Sequence, residues 1–189
     1  ETATREEKRR PPFAFMFRYI GSWSGPVQWE DVQPLDEYLS GPGQTALGLP
    51  NQLLVRHFAT DSFRLFPIGD AAQYALSKPL AWVKFSTLSN LQEHITITEG
   101  AYPSIAEPRS DSTIEVLINE RLAIKLGLQA GESYLLFEDS TRKTVGNVDQ
   151  FPIRISGVWT PKNPNEQYWF YNPDAFEDQL IVPEDTFKN

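Results

Sequence analysis

Few side chains in this sequence are of types that do chemistry. There are two histidines, His57 and His94, and no cysteine. Neither histidine has a second one four positions away, and no HExxH-like pattern surrounds either, so a helix-borne metal pair is not indicated. The missing cysteines remove disulfides, iron–sulfur clusters and thiol nucleophiles. Gly21-Ser22-Trp23-Ser24-Gly25 has the flanking glycines of a nucleophile elbow but carries Trp at its centre. A Ser-His-Asp site needs serine there and a base within reach, so the stretch reads as a loop. Carboxylates are plentiful: Glu30, Asp31, Asp36, Glu37, Asp139, Glu177, Asp178, Glu184 and Asp185. Two could face each other across a cleft as glycosidase acids do. No spacing pairs them, and in a chain of net charge −8 the plainer reading is solvated surface. Gly127-Leu128-Gln129-Ala130-Gly131 lacks the Lys-Ser/Thr of a phosphate loop, and no EF-hand spacing occurs. No catalytic residue, cofactor site or metal site is expected.

Aromatic side chains offer recognition rather than reaction. Trp23 and the run Tyr168-Trp169-Phe170-Tyr171 are the candidate partner contacts, because aromatic faces stack on sugars and fill partner pockets. The competing reading sends alternate members of the run into a core. Solvent exposure separates the two readings, since two or more open rings are what a binding surface requires.

Composition narrows the function classes. At 40% hydrophobic and 13% aromatic, the 189 residues can build a real core. A net charge of −8 argues against a general nucleic-acid binder and against docking on an anionic membrane. No apolar run approaches the roughly 20 residues of a membrane span. Fifteen prolines favour short strands and turns over long helices.

The clearest local signals lie between residues 114 and 159. Residues 114–118 form an apolar run of strand length. Asn119 can cap the helix that follows, with Leu122, Ala123 and Leu126 on one face and Lys125 in the last turn. Gly127 can take the left-handed stop conformation. Ala130-Gly131-Glu132 is a turn, and residues 134–137 and 151–158 alternate as strands. Upstream, Phe13, Phe15, Phe17 and Tyr19 alternate with Ala14, Met16, Arg18 and Ile20, which leaves both faces fairly apolar and predicts a strand central in a sheet. Residues 29–39 predict a helix made irregular by Pro34. Residues 53–58, 62–66 and 80–85 predict strands. A helical turn at 90–94 leads into Ile95-Thr96-Ile97. One helical turn is expected at 174–178 and a last strand at 180–182.

The 114–159 stretch resembles the extracellular core domain of FtsX/MacB-type ABC transporter permeases. The matching residues are Leu122-Ala123, Leu126-Gly127-Leu128, Gly131-Glu132 and Ile153-Arg154-Ile155-Ser156-Gly157-Val158. Ile95 to Pro103 is similar to a second family segment, with Ala101 where Arg is usual. Gln179 to Pro183 is similar to the strand that follows. Leu47-Gly48-Leu49-Pro50 is a further likeness. Order and spacing carry the resemblance, which covers roughly residues 13–187.

The resemblance implies an α+β, two-lobed fold with mixed β-sheets and short helices. Residues 1–12 would be a charged lead-in, 13–105 the first part of a membrane-near lobe, 106–165 an inserted strand–helix–strand lobe, and 166–189 a return that stops short of the family's usual end. Residues 106–112, and the return near 160–165, would be the hinge. The implied function is a non-catalytic extracytoplasmic domain at the cell membrane. It would pass ATPase-driven movement to an outer substrate or accessory protein. The implied partners are a cytosolic ATPase subunit and a second permease subunit, with the membrane helices outside this sequence and no nucleic acid. Two other readings compete. One is a secreted carbohydrate- or ligand-binding module using the aromatics. The other is a hydrolase with paired carboxylates.

Overall fold

In the computed structural model, residues 16–18, 20–21, 27–48, 52–69, 78–106, 112–138, 150–169 and 172–188 are described. The chain divides into two compact units, Glu1–Val55 and Arg56–Asn189.

The first unit holds helix α1 (Trp29–Ser40) and the short α2 (Pro42–Ala46). Asp31 Oδ2 accepts the Gln28 N–H at 3.1 Å, which satisfies one amide ahead of the first turn of α1. Pro34 sits inside α1, and none of its residues is buried. The strand predicted at 13–20 is not formed where it is described. Residues 16–18 and 20 have no regular structure, and Met16, Phe17 and Ile20 are exposed.

Among the described residues the second unit holds eight strands: β1 (His57–Ala59), β2 (Phe63–Pro67), β3 (Ala81–Leu88), β4 (Ile95–Gly100), β5 (Ile114–Asn119), β6 (Ser133–Glu138), β7 (Gln150–Pro161) and β8 (Gln179–Ile181). Its helices are α3 (Leu91–His94), α4 (Glu120–Leu126) and α5 (Glu184–Lys188), with a 3-10 turn at Pro173–Phe176. The α+β class is therefore as expected.

The sheet closes on itself. β3 pairs with β2, β2 with β6, and β6 with β7, all antiparallel. β7 runs parallel to β5, β5 antiparallel to β8, and β8 parallel to β3. Six strands thus return to their start, and closure leaves them no free edge. β1 continues the β2 side of β3, pairing with Ser86 to Leu88. β4 continues the β6 side of β7, pairing with Gly157 to Pro161.

Period-two alternation sets which side chains fill the interior. Val83 and Phe85, Val116 and Ile118, Ile153 and Ile155, and Leu65, Leu136 and Leu180 form one buried cluster. Phe63 joins it edge-on to Phe85 at 5.5 Å and to Phe151 at 5.6 Å. Each buried aliphatic side chain contributes about 1.5–3 kcal/mol relative to exposure.

The strand–helix–strand unit forms as its sequence dictates. Asn119 Oδ1 accepts the Arg121 N–H at 2.9 Å at the start of α4, and Gly127 ends it at φ 71°. Leu122 and Ala123 turn inward to the barrel core.

The two-lobe division predicted at 106–112 does not separate two sheets. β2 and β3 precede it, β5 to β7 follow it, and β8 lies in the predicted return, yet all six share one closed sheet. Residues 107–111 of that hinge lie outside the described residues. Local periodicity identifies strands but not their partners, so a closure made by the last strand could not be read from it.

Candidate functional site

Among the described residues, two polar clusters and two surface grooves bear on what this barrel could do. The first cluster joins three strands. His57 opens β1, Ser86 lies in β3 and Gln179 opens β8. His57 Nε2 lies 3.1 Å from Ser86 Oγ and 2.9 Å from Gln179 Oε1. Phe176 meets the imidazole edge-on at 5.3 Å. His57 is exposed as a residue, but its Nε2 is turned into the barrel wall.

A serine and a histidine in contact invite comparison with a nucleophile and its base. The geometry argues against it. The Gln179 carboxamide oxygen is an acceptor only, so this assignment of the amide keeps the proton on Nε2. Nε2 then has no lone pair with which to take the proton of Ser86. Ser86 also has no exposed surface, so no substrate atom reaches its Oγ. Burial holds the His57 pKa below the usual histidine range, against the opposing Gln179 bond and with help from Lys84. The cluster is a neutral polar tie between β1, β3 and β8.

The second cluster contains the predicted aromatic run. Tyr168 and Trp169 are only 4% and 5% exposed. They are therefore not the open rings a binding surface requires. Trp169 stacks on the fully buried Trp159 at 5.8 Å, and Tyr168 meets Trp169 edge-on at 4.9 Å. The Tyr168 ring lies flat on His94 at 3.6 Å, and its hydroxyl donates to the Ser89 carbonyl at 2.8 Å. His94 Nδ1 sits 3.1 Å from Glu166 Oε2. Burial first, then the nearby Tyr102 and Glu166, pushes the Tyr168 pKa upward, so the hydroxyl stays a donor. The segment spanning 162–169 is pinned to the barrel by these contacts. Both neighbours are buried because the segment there is a turn rather than a strand, and alternation does not apply. Trp23, Phe170 and Tyr171 lie outside the described residues.

Glu177 and Glu184, among the candidate carboxylates, are engaged by cations rather than by one another. Glu184 is bonded to Arg56 at 2.9 Å and to Lys188 at 2.8 Å. Burial alone would raise its pKa, but Lys188 and Arg56 outweigh it and hold the carboxyl below its ordinary value. Glu177 is bonded to Lys125 at 2.8 Å, and Asp174 to Arg121 at 2.9 Å. Asp139 lies outside the described residues. Among the described residues no group of three or more histidines and carboxylates could hold a metal ion. Among the described residues, too, no helix is long and apolar enough to cross a membrane.

The grooves are shallow. One runs along the outer face of α4, beside Glu99, Glu120 and the 76% exposed Ile124. The other, of about 420 Å³, lies where α4 meets the start of β3 and the turn before β8. Its walls include Leu80 and Trp82, which are 43% and 47% exposed. Sequence reading passed over Trp82, although a signal was present. Ala81, Val83 and Phe85 alternate inward, which leaves Leu80, Trp82 and Lys84 on the outer face.

No protein-family model matches this sequence, and no curated protein is found to be similar to it.

Proposed function

We propose that the chain is a non-catalytic extracytoplasmic domain of an ABC transporter permease of the FtsX/MacB type. In this reading it passes movement of membrane helices, driven by a cytosolic ATPase, to an outer substrate or accessory protein. The carrying observation is the unit from β5 to β7. The residues that resemble the family, Leu122-Ala123, Leu126-Gly127-Leu128 and Ile153 to Val158, form a helix stop and a strand of one packed unit. The sealed Ser86 and the neutral His57 add support, because the reading asks for a body and not for a reactive group.

The mechanism is modified by the closed sheet. Six strands that return on themselves transmit force as one body, since separating β2 from β6 breaks a continuous hydrogen-bonded ladder. Residues 56–189 then act as a single lever arm rather than as two lobes flexing about residues 106–112.

The test uses the full-length protein with its ATPase in lipid vesicles. Residues 56–189 are replaced by a short Gly-Ser linker, and ATP hydrolysis and transport are both measured. The expected result is hydrolysis that persists while transport is lost. Unchanged transport overturns the reading, as does substrate turnover by the isolated chain.

A further inference from the structure

We propose that the groove between α4 and the start of β3 docks a basic polypeptide segment, receiving an arginine or lysine side chain against Trp82 and Asp178. The inference stands independently of the permease reading.

Three carboxylates border the groove: Asp174, Glu177 and Asp178. Two have partners from α4, since Arg121 reaches Asp174 at 2.9 Å and Lys125 reaches Glu177 at 2.8 Å. Among the described residues the Asp178 carboxylate has no such partner. Its backbone carbonyl is engaged instead, accepting from Lys84 N at 3.0 Å. That bond belongs to the parallel β3–β8 pairing, in which Lys84 lies opposite Gln179. Asp178 is thereby held at the same end of the strand pair as Trp82.

Trp82 is in the same position among the aromatics. It is 47% exposed on the outer face of β3, and among the described residues its ring contacts no other ring and no cation. Arg64 stands directly opposite it across the β2–β3 pairing. That guanidinium lies instead toward Phe66, at 6.0 Å from its ring. An open indole and an uncommitted carboxylate on one groove are complementary to a cation with a flat or alkyl body. The indole face attracts the charge, and the carboxylate pairs with it.

The rest of the groove selects a polypeptide over a small cation. Leu80 and Leu126 line it with aliphatic surface above the buried Leu122, and its volume of about 420 Å³ exceeds what one ammonium group fills. Aliphatic side chains flanking the basic residue would cover that surface. The chain's net charge of −8 favours the approach of a basic partner.

The test uses the whole chain, isotopically labelled, and a peptide probe of sequence acetyl-Leu-Arg-Leu-Arg-Leu-amide. Glutamine and glutamate replace arginine in two control peptides. Binding is followed by calorimetry and by the Trp82 indole N–H resonance, at about 0.15 M salt, where diffuse attraction is screened. The arginine peptide is expected to bind and to shift that resonance, and the two control peptides to do neither. Trp82→Leu and Asp178→Asn are each expected to weaken binding about fivefold. Glu99→Gln, in the other groove, should leave it unchanged. The wild-type resonance reports on the groove even if a variant fails to fold. Equal binding of the glutamine peptide overturns the proposal, and so does binding that leaves the indole unmoved. If the peptide does not bind and Trp82→Leu instead abolishes self-association of the chain, the face belongs to a second copy and the proposal fails.

Discussion

Replacing Gly157 by alanine tests how tightly β4 is laid against β7. Gly157 lies between the two register slips along β7, one with β5 between Ile155 and Gly157 and one with β4 between Val158 and Trp159. A Cβ there would stand 2.7 Å from the Glu99 carbonyl oxygen, 2.8 Å from that of Ala101 and 3.0 Å from the Ala101 nitrogen. Ordinary contact begins at 3.4 Å, and all three atoms are backbone, so no side chain can rotate away. The strand itself has to move, which places the cost near the upper end of overpacking, about 3 kcal/mol. Gly127→Ala is the proper reference. Its φ of +71° strains an L-residue, but its Cβ would meet no atom within 4 Å. That substitution should cost only about 1 kcal/mol. Urea unfolding followed by near-ultraviolet dichroism, which reads the buried tryptophans, measures both. In thermal scans the difference corresponds to about 9 °C against about 3 °C. A Gly157→Ala protein within 1 kcal/mol of wild type, or no less stable than Gly127→Ala, would refute the reasoning, at a threshold of about one such unit.

Two further outcomes follow from the same structure. Asn119→Ala removes the acceptor for the Arg121 N–H and should lower stability by about 1 kcal/mol, or about 3 °C in melting temperature. Asn119→Asp should retain most of it. The pH dependence of stability should carry the mark of His57. Its folded pKa lies below the ordinary value of 6.5, so the unfolded chain binds the proton more readily. The contribution is fully present above pH 6.5 and is lost as pH falls through the lowered folded value. His57→Gln should flatten that part of the denaturant-midpoint profile. A fall of equal steepness in wild type and variant would show that another group is responsible.

The parts of the fold that were legible are those specified by neighbours in sequence. The run from Ile114, the Asn119 cap, the inward Leu122 and Ala123 and the Gly127 stop each depend on positions within one or two turns. They appear as β5 and α4 within a residue or so of expectation. The closure by β8 depends on Leu180 finding Phe85 and on Ile181 finding Leu117, contacts that no periodicity encodes. The His57 cluster spans 29 and 122 positions of sequence and was invisible for the same reason. Of the two roles the sequence left open for Tyr168 and Trp169, partner contact or core, these two rings take the core, at 4% and 5% exposed. Aromatic density does not distinguish a ring that stacks on Trp159 from one that waits for a partner. The strand read at 13–20 had the right alternation, but residues 16–18 and 20 carry no regular structure.

A disulfide across the predicted hinge tests most directly whether the domain acts as one body. Pro67 and Tyr134 are paired partners on β2 and β6, one on each side of residues 106–112. Paired residues on antiparallel strands lie about 4.5–5.5 Å apart at Cα, within disulfide reach, and the chain has no cysteine of its own to compete. In the full-length protein carrying Pro67→Cys and Tyr134→Cys, the ATP-driven transport that the proposed function requires is measured before and after oxidation. Transport retained within about twofold, a difference under 0.5 kcal/mol, is the predicted result. A loss of about tenfold or more, restored by reduction, would contradict it, because a lever that flexes between two lobes stops working when they are stapled.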